Sequence, residues 1–335
     1  MPVALISGIN GQDGAYLSEF LLNNDYDVHG MVRRKADSNI WRLEELGIHD
    51  SVELHIGDVT DSASIGRIVS GLEFEPFEIY NLAAQSYVKA SFETPVSTFQ
   101  INANGALNML EATRRVCAQR GKTWVKFYQA STSEMFGLTD LISQNENTAF
   151  HPRSPYGVAK LAAHWAVINY RETYGLFACS GILFNHESPL RGEEFVTRKI
   201  AAAVARICAG KQKNLSLGNI DAVRDWGFAG DYVKAMWLML QLPEPDDFVV
   251  ATGQAHTVRE MCDIAFAHGG LDYKNYVTVD SSLFRPCEVP DLRGNSMKAR
   301  KILGWSPSVE FKDLITNMVD TELKREGVVQ HAASA

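Results

Sequence analysis

Short apolar runs alternate with longer stretches whose apolar residues recur every three or four positions through the first half of the chain. Val3–Ser7, Val28–Val32, Val52–Ile56, Glu78–Leu82, Trp124–Ala130 and Cys179–Phe184 read as strands. Their nearly continuous apolar character suits a parallel sheet covered on both faces. Between them, Tyr16–Leu22, Ser62–Leu72, Asn104–Val116 and Tyr156–Tyr174 have helical spacing. This alternation predicts an α/β fold: a doubly wound (Rossmann-type), mostly parallel sheet with right-handed crossovers.

The pattern changes after Phe184. A loop rich in Pro, Arg, Gly and Glu (Asn185–Phe195) leads to a helix near Thr197–Ala209. Turns, short strands and two further helices follow, near Val258–His268 and Lys298–Leu303. The stretch Tyr232–Leu240 and the strand Phe248–Ala251 are placed to return to the first sheet, so the lobes are expected to interleave. The expected division gives 1–184 plus about 226–252 to a dinucleotide-binding domain. The remainder, about 185–225 and 253–330, forms a smaller α/β substrate-binding lobe. The tail after Arg325 is small and polar and is expected to fray.

Composition narrows the class. A chain of 335 residues with 46% hydrophobic content and mean hydropathy −0.13 fits a globular enzyme-sized unit. A formal charge of −8 and a pI near 5.6 argue against a general nucleic-acid or anionic-membrane surface. No apolar run approaches the roughly 20 residues that span a bilayer. The N-terminus runs directly into a strand, which leaves no room for a secretory leader, and a cytoplasmic location is expected. Five dispersed cysteines without a CxxC read as buried thiols, and none of the nine histidines shows metal-ligand spacing, so no metal is expected.

The first strand is followed by Gly8-Ile9-Asn10-Gly11-Gln12-Asp13-Gly14 and then a helix. Glycines let the backbone turn sharply against a pyrophosphate, and the helix N-terminus offers that anion free N–H groups. The second strand ends at Arg33-Arg34-Lys35, where an NAD site would usually carry an acid for the ribose diol. Cations there match a 2′-phosphate, so NADP is the expected cofactor, a solvated basic loop being the plainer reading. Asp58 and Val59 follow the third strand, where a carboxylate can meet the adenine amine. Leu82-Ala83-Ala84-Gln85-Ser86 follows the fourth, and its small residues permit close approach of the cofactor or simply ease packing.

Ser131-Thr132-Ser133-Glu134 and Ser154-Pro155-Tyr156-Gly157-Val158-Ala159-Lys160 carry the reactive groups. Tyr156 and Lys160 stand one helical turn apart, so the ammonium is expected to lower the phenol's pKa and ready it to accept an alcohol proton. Plain hydride transfer does not require Glu134. A second proton abstraction beside a newly formed ketone does, and the pattern therefore predicts oxidation coupled to elimination.

The glycine pattern with Tyr-x-x-x-Lys resembles the extended short-chain dehydrogenase/reductase superfamily. Tyr80–Ser86, Phe127–Glu134, Gly181–Pro189, Phe195–Ile200 and Arg224-Asp225-Trp226-Gly227 narrow the resemblance to the GDP-mannose 4,6-dehydratase family, from about Ala4 to Lys324. The related dTDP-glucose dehydratases usually place aspartate where Ser133 stands, and epimerases and keto-sugar reductases usually lack a carboxylate at Glu134. Asn10 and Ser97 depart from the family's usual threonine and tyrosine.

The resemblance implies conversion of GDP-mannose to its 4-keto-6-deoxy product, with Tyr156, Lys160, Thr132 and Glu134 catalytic. It implies cofactor contacts from Gly8 to Gly14, at Arg33, Asp58, Val59, Leu82, Ala83, Gln85, Ser86, His186 and Arg191, and at Tyr156 and Lys160. Substrate contacts are implied at Ser86, Thr132, Ser133, Glu134, Asn185, Lys199, Arg224, Arg285 and Glu288. It also implies a homotetramer, a dimer of dimers with the Arg33–Arg42 loop at the interface. The competing expectations are an NADP-dependent GDP-keto-sugar reductase or epimerase, and a non-enzymatic NADP-binding regulator.

Overall fold

The computed structural model describes all residues except 35–38, 73–76, 122–124, 285, 286, 288, 290 and 329–335. Seven strands form one sheet. From one edge they run Asp247–Val250, Phe177–Leu183, Val125–Thr132, Phe77–Asn81, Val3–Ser7, Asp27–Val32 and Glu53–Ile56. Every pairing is parallel. The winding direction reverses between Val3–Ser7 and Phe77–Asn81, and such a switch point opens a crevice at the carboxyl ends of the strands.

Helices cover both faces, which explains the unbroken apolar runs. Gln12–Leu22 and Ala229–Leu240 bury Ala15, Leu17, Leu21, Met236 and Met239 on one face. Ser62–Gly71, Gly105–Arg120 and Pro155–Tyr174 bury Ile65, Met109 and Val167 on the other. Helix Pro155–Tyr174 starts cleanly because Ser154 Oγ accepts from the Gly157 N–H at 3.0 Å and proline occupies the first turn. It stops at Gly175, whose φ of 68° few other residues adopt.

The six expected strands of the first half are present, and Asp247–Val250 adds the edge, pairing Phe248 with Gly181. Four features depart from the sequence reading. The first helix begins at Gln12, ahead of Tyr16. Short helices Val88–Glu93 and Pro95–Phe99 lead through a π-helical turn, Gln100–Asn104, into Gly105–Arg120. A five-residue helix spans Trp41–Glu45.

The largest omission is a third late helix, Phe311–Glu326. Its apolar positions Phe311, Leu314, Ile315, Met318 and Val319 have the spacing of a buried stripe, diluted by many charged residues. It packs with Val196–Cys208 and Val258–His268 around a separate apolar core that contains Trp226 and Phe266. No helix among the described residues is long and apolar enough to cross a membrane.

Candidate active site

The glycine turn is shaped by close backbone contact. Gly8 has a φ of 78°, and a Cβ there would stand 2.9 Å from the Ala83 backbone. The first and fourth strand–loop junctions therefore touch only because both are small. A Cβ on Gly14 would come within 2.5 Å of Ile9 Cα, so the helix start presses against its own turn. Gly11 caps that helix without a side-chain hydrogen bond, leaving the first N–H groups to the cavity beside it. This cradle, open only because side chains are missing, fits a dinucleotide pyrophosphate.

Strand Val125–Thr132 ends at the same cavity. Thr132 Oγ1 accepts from the Glu134 N–H at 3.3 Å, which turns the chain into the short 3₁₀ segment Ser133–Met135. Helix Pro155–Tyr174 presses on this turn at Gly157, where a Cβ would lie 2.8 Å from the Glu134 carbonyl oxygen. Tyr156, Lys160, Thr132, Ser133 and Glu134 are all buried and all line the cavity.

The electrostatics differ from the sequence expectation. Burial pushes the Tyr156 phenol up to about 12, opposed by its hydrogen bond with Thr132 and reinforced by the Glu134 charge. The lowering expected from Lys160 is absent. Its Nζ lies 6.0 Å from the Tyr156 ring centroid and donates to the Ala130 carbonyl at 2.9 Å. Burial lowers Lys160 itself to about 8. The i, i+4 spacing placed both groups on one helix face, but a strand carbonyl competes for the ammonium.

A half-buried pair joins the two sides of the cavity. His186 Nε2 and Asp13 Oδ2 are 2.8 Å apart, while His186 Nδ1 donates to the Phe184 carbonyl at 2.7 Å. Gln12 bonds the His186 carbonyl and accepts from Ser188. Burial would raise Asp13, but the imidazole's charge and hydrogen bond hold it at about 2. Burial would lower His186, and Asp13 reverses that to a net rise. His186 also stacks on Tyr232, ring centroids 4.6 Å apart.

The facing wall comes from the second half. Asn185 begins the strand Asn185–Glu187, paired in parallel with Trp226–Phe228. Arg191 lies over Phe195 at 3.5 Å and its Nε is 3.1 Å from Glu187. Lys199 Nζ donates to the Ser216 carbonyl at 2.8 Å, and buried Arg224 to the Val223 carbonyl at 2.7 Å. The segment holding Arg224 is fixed by Asp225, which accepts from Thr252, Gly253 and Gly294.

One cavity of about 470 Å³ thus gathers most of the expected residues. Gly8, Asn10–Gly14, Leu82, Ala83, Ser86, Thr132–Glu134, Tyr156, Lys160, Asn185, His186, Arg191, Lys199 and Arg224 all line it. Arg285 and Glu288 lie outside the described residues. Ile9, Arg33, Asp58, Val59 and Gln85 stand off its wall. Ile9 is in the core, Val59 packs where a Gly105 Cβ would be, and Asp58 is engaged by Thr60. The Gln85 backbone is tied to Asn102, and Arg33 is exposed.

Lys89, Glu194 and Trp226 line the cavity although the sequence reading assigns them no contact there; Trp226 sits inside the Arg-Asp-Trp motif that signals the region. Arg42 also reaches the site within the chain. It donates to the carbonyls of Asn10 (3.0 Å) and Leu190 (2.6 Å), while Trp41 lies under Arg42, Arg198 and Arg325 of its own chain.

Comparison with known proteins agrees with this geometry. A family model described as GDP-mannose 4,6 dehydratase matches residues 5–318. GDP-mannose 4,6 dehydratase 2 of Arabidopsis thaliana is 53% identical, the alignment covering 98% of this chain and 90% of the relative. The human GDP-mannose 4,6 dehydratase is 50% identical, covering 96% and 92%. Among solved structures, the Thermus thermophilus UDP-glucose 4-epimerase complex with NAD superposes with a TM-score of 0.81 at 27% identity, covering 96% of this chain and 99% of that one. The RMD structure from Pseudomonas aeruginosa, complexed with NADPH, gives 0.78 at 25%, covering 97% and 100%. With a family match over nearly its whole length and relatives at half identity, the chain belongs to the GDP-mannose 4,6-dehydratase family.

Proposed function

We propose that this enzyme converts GDP-mannose to GDP-4-keto-6-deoxymannose with loss of water, using a retained NADP. The observation that carries the reading is Glu134, a buried carboxylate lining the same cavity as Thr132, Tyr156 and Lys160. A bound nicotinamide would supply the hydride acceptor for oxidation at C4 and the hydride donor for reduction at C6. Residues Gly8–Gly14, Leu82 and Ala83 would hold the dinucleotide, with His186 and Arg191 beside it. Arg33 and Arg34, exposed just past the second strand, favour NADP over NAD.

Tyr156 accepts the C4 hydroxyl proton at its phenolic oxygen, and Thr132 donates a hydrogen bond to the C4 oxygen. Lys160, held on the Ala130 carbonyl in this structure, assists when its ammonium turns toward the phenol, where its charge favours the phenolate. Once C4 is a ketone, the C5 hydrogen is acidic. The Glu134 carboxylate removes it and delivers a proton to the departing C6 hydroxyl, and C5 is then reprotonated. Each such acid–base group contributes about 10²–10⁴-fold. On the facing wall, Lys199 and Arg224 offset the diphosphate charge, and Asn185 and Ser86 flank the sugar. Arg285 and Glu288 complete the nucleotide contacts in this reading.

The same reading assigns 1–184 and about 226–252 to the cofactor and the remainder to the sugar nucleotide. It includes a homotetramer in which the Arg33–Arg42 loop reaches a neighbouring subunit, which light scattering on the purified protein tests. The reaction is tested by incubating the enzyme with GDP-mannose and catalytic NADP, followed by mass spectrometry. Loss of one water without net cofactor consumption is expected. Unchanged GDP-mannose, with stoichiometric NADPH oxidation by a keto-sugar, would replace the reading with a reductase.

A further inference from the structure

The cavity opens at the carboxyl ends of the strands. At the sheet's outer edge, on two strands that give the cavity no lining residue, lies a second cluster that the chemistry above does not use. Strands Asp27–Val32 and Glu53–Ile56 pair in parallel, with His29 opposite Glu53 and Met31 opposite His55. The register therefore brings together side chains more than twenty residues apart in sequence. His29 Nδ1 and His55 Nε2 face one another at 2.9 Å. One carboxylate oxygen of Glu53 is 3.6 Å from His29 Nδ1, and the other is 3.7 Å from His55 Nε2. One ligand atom from each residue fits within a 4.8 Å span.

We propose that His29, Glu53 and His55 bind a divalent transition-metal ion of the zinc class. An ion with ligands at about 2.0–2.2 Å holds them roughly 3–3.6 Å from one another; the imidazole nitrogens at 2.9 Å and the Glu53 oxygens at 3.6 and 3.7 Å need only small side-chain shifts to reach that spacing. The donor set decides the class. Two imidazoles and a carboxylate suit zinc, cobalt or nickel, whereas calcium and magnesium require oxygen ligands.

Two further observations point to an ion. His29 Nε2 is buried and makes no hydrogen bond among the described residues, yet Asp27 Oδ2 lies 3.4 Å away. A metal on Nδ1 would fix the proton on Nε2, aimed at Asp27, which is the carboxylate–histidine–metal arrangement of many protein sites. The side chains are also graded in exposure, His29 at 5%, His55 at 24% and Glu53 at 66%, giving one rigid ligand and an open side for entry and water. The site is remote from the cavity, so its role is to clasp the edge strand to its neighbour.

The test is calorimetric titration of zinc chloride into chelator-treated full-length protein, set against His55→Ala and Asp27→Asn. One saturable equivalent is expected in the unaltered protein. His55→Ala should weaken it at least 100-fold, and Asp27→Asn about 10–100-fold. Circular dichroism checks that both variants fold, and cobalt(II) should give a visible absorption band that His55→Ala abolishes. Dehydration of GDP-mannose should be unaffected by the chelator, so failure here and failure of the proposed reaction are distinct. Zinc binding that is absent, or equal in the unaltered protein and His55→Ala, would overturn the proposal and leave an imidazole–imidazole hydrogen bond.

Discussion

The two walls of the cavity are built differently. One wall grows from consecutive strand–helix junctions of the parallel sheet: Gly8–Gly14, Leu82–Ala83, Thr132–Glu134 and the start of helix Pro155–Tyr174. The other gathers Asn185, Arg191, Lys199, Arg224 and Leu217–Asn219 from loops, strands of two or three residues and one helix. The first holds reactive groups by backbone contacts so tight that a single Cβ would collide. The second holds Lys199 and Arg224 on backbone carbonyls and Arg191 on the Glu187 carboxylate and the Phe195 ring. Chemistry is therefore assigned to the rigid wall and sugar-nucleotide affinity to the adaptable one, and substitutions should separate the two.

The largest effect is expected at the phenol. Tyr156→Phe removes the oxygen proposed to accept the C4 proton and should lower kcat about 10²–10⁴-fold, with GDP-mannose affinity retained in a binding titration. Lys160→Met should lower kcat about 10²-fold yet leave the melting temperature unchanged or raised. An ammonium whose pKa burial depresses to about 8 costs stability while it is charged. A calorimetric melt beside a rate assay checks both; a large drop in melting temperature would contradict this view of the rigid wall.

Gly8→Ala should weaken cofactor binding at least about 10-fold, because positive φ and the Ala83 contact both oppose a methyl group. Gly66→Ala, in helix Ser62–Gly71 with nothing near its Cβ, is the control and should be neutral or slightly stabilising. On the facing wall, Lys199→Met should raise KM for GDP-mannose about 10-fold with little change in kcat. A kcat loss equal to the KM change would mean that the second wall also takes part in chemistry.

The smallest effect concerns the pair joining the walls. Asp13, held at about 2, stabilises the fold above its ordinary 3.8 and loses that contribution as pH falls through about 2. His186, shifted upward, contributes below its ordinary 6.5 and fades as pH rises through its folded value. Asp13→Asn should therefore cost about 1–3 kcal/mol, most visibly between about pH 4 and 6.5, with the gap narrowing on either side. Melts across that range check the shape.

The same division explains what is legible in the sequence. Glycine turns, strand runs and the Tyr156/Lys160 spacing are local signals, so the rigid wall is readable almost residue by residue. Lys160's preference for the Ala130 carbonyl is not, because it depends on a neighbouring strand. Arg42 reaching the glycine turn depends on a fold-back over more than thirty residues. Helix Phe311–Glu326 carries a readable apolar stripe that its charged residues obscure. His29 and His55 meet only through strand register, which spacing along one chain does not reveal.

The most direct test of the central claim compares the unaltered enzyme and Glu134→Gln, each incubated with GDP-mannose and NADP in deuterated water. The account predicts that the unaltered enzyme releases one water and places solvent deuterium at C5. It predicts that Glu134→Gln still binds substrate but forms the dehydrated product about 10²–10⁴-fold more slowly. Dehydration by Glu134→Gln at the unaltered rate, with deuterium still entering at C5, would contradict it.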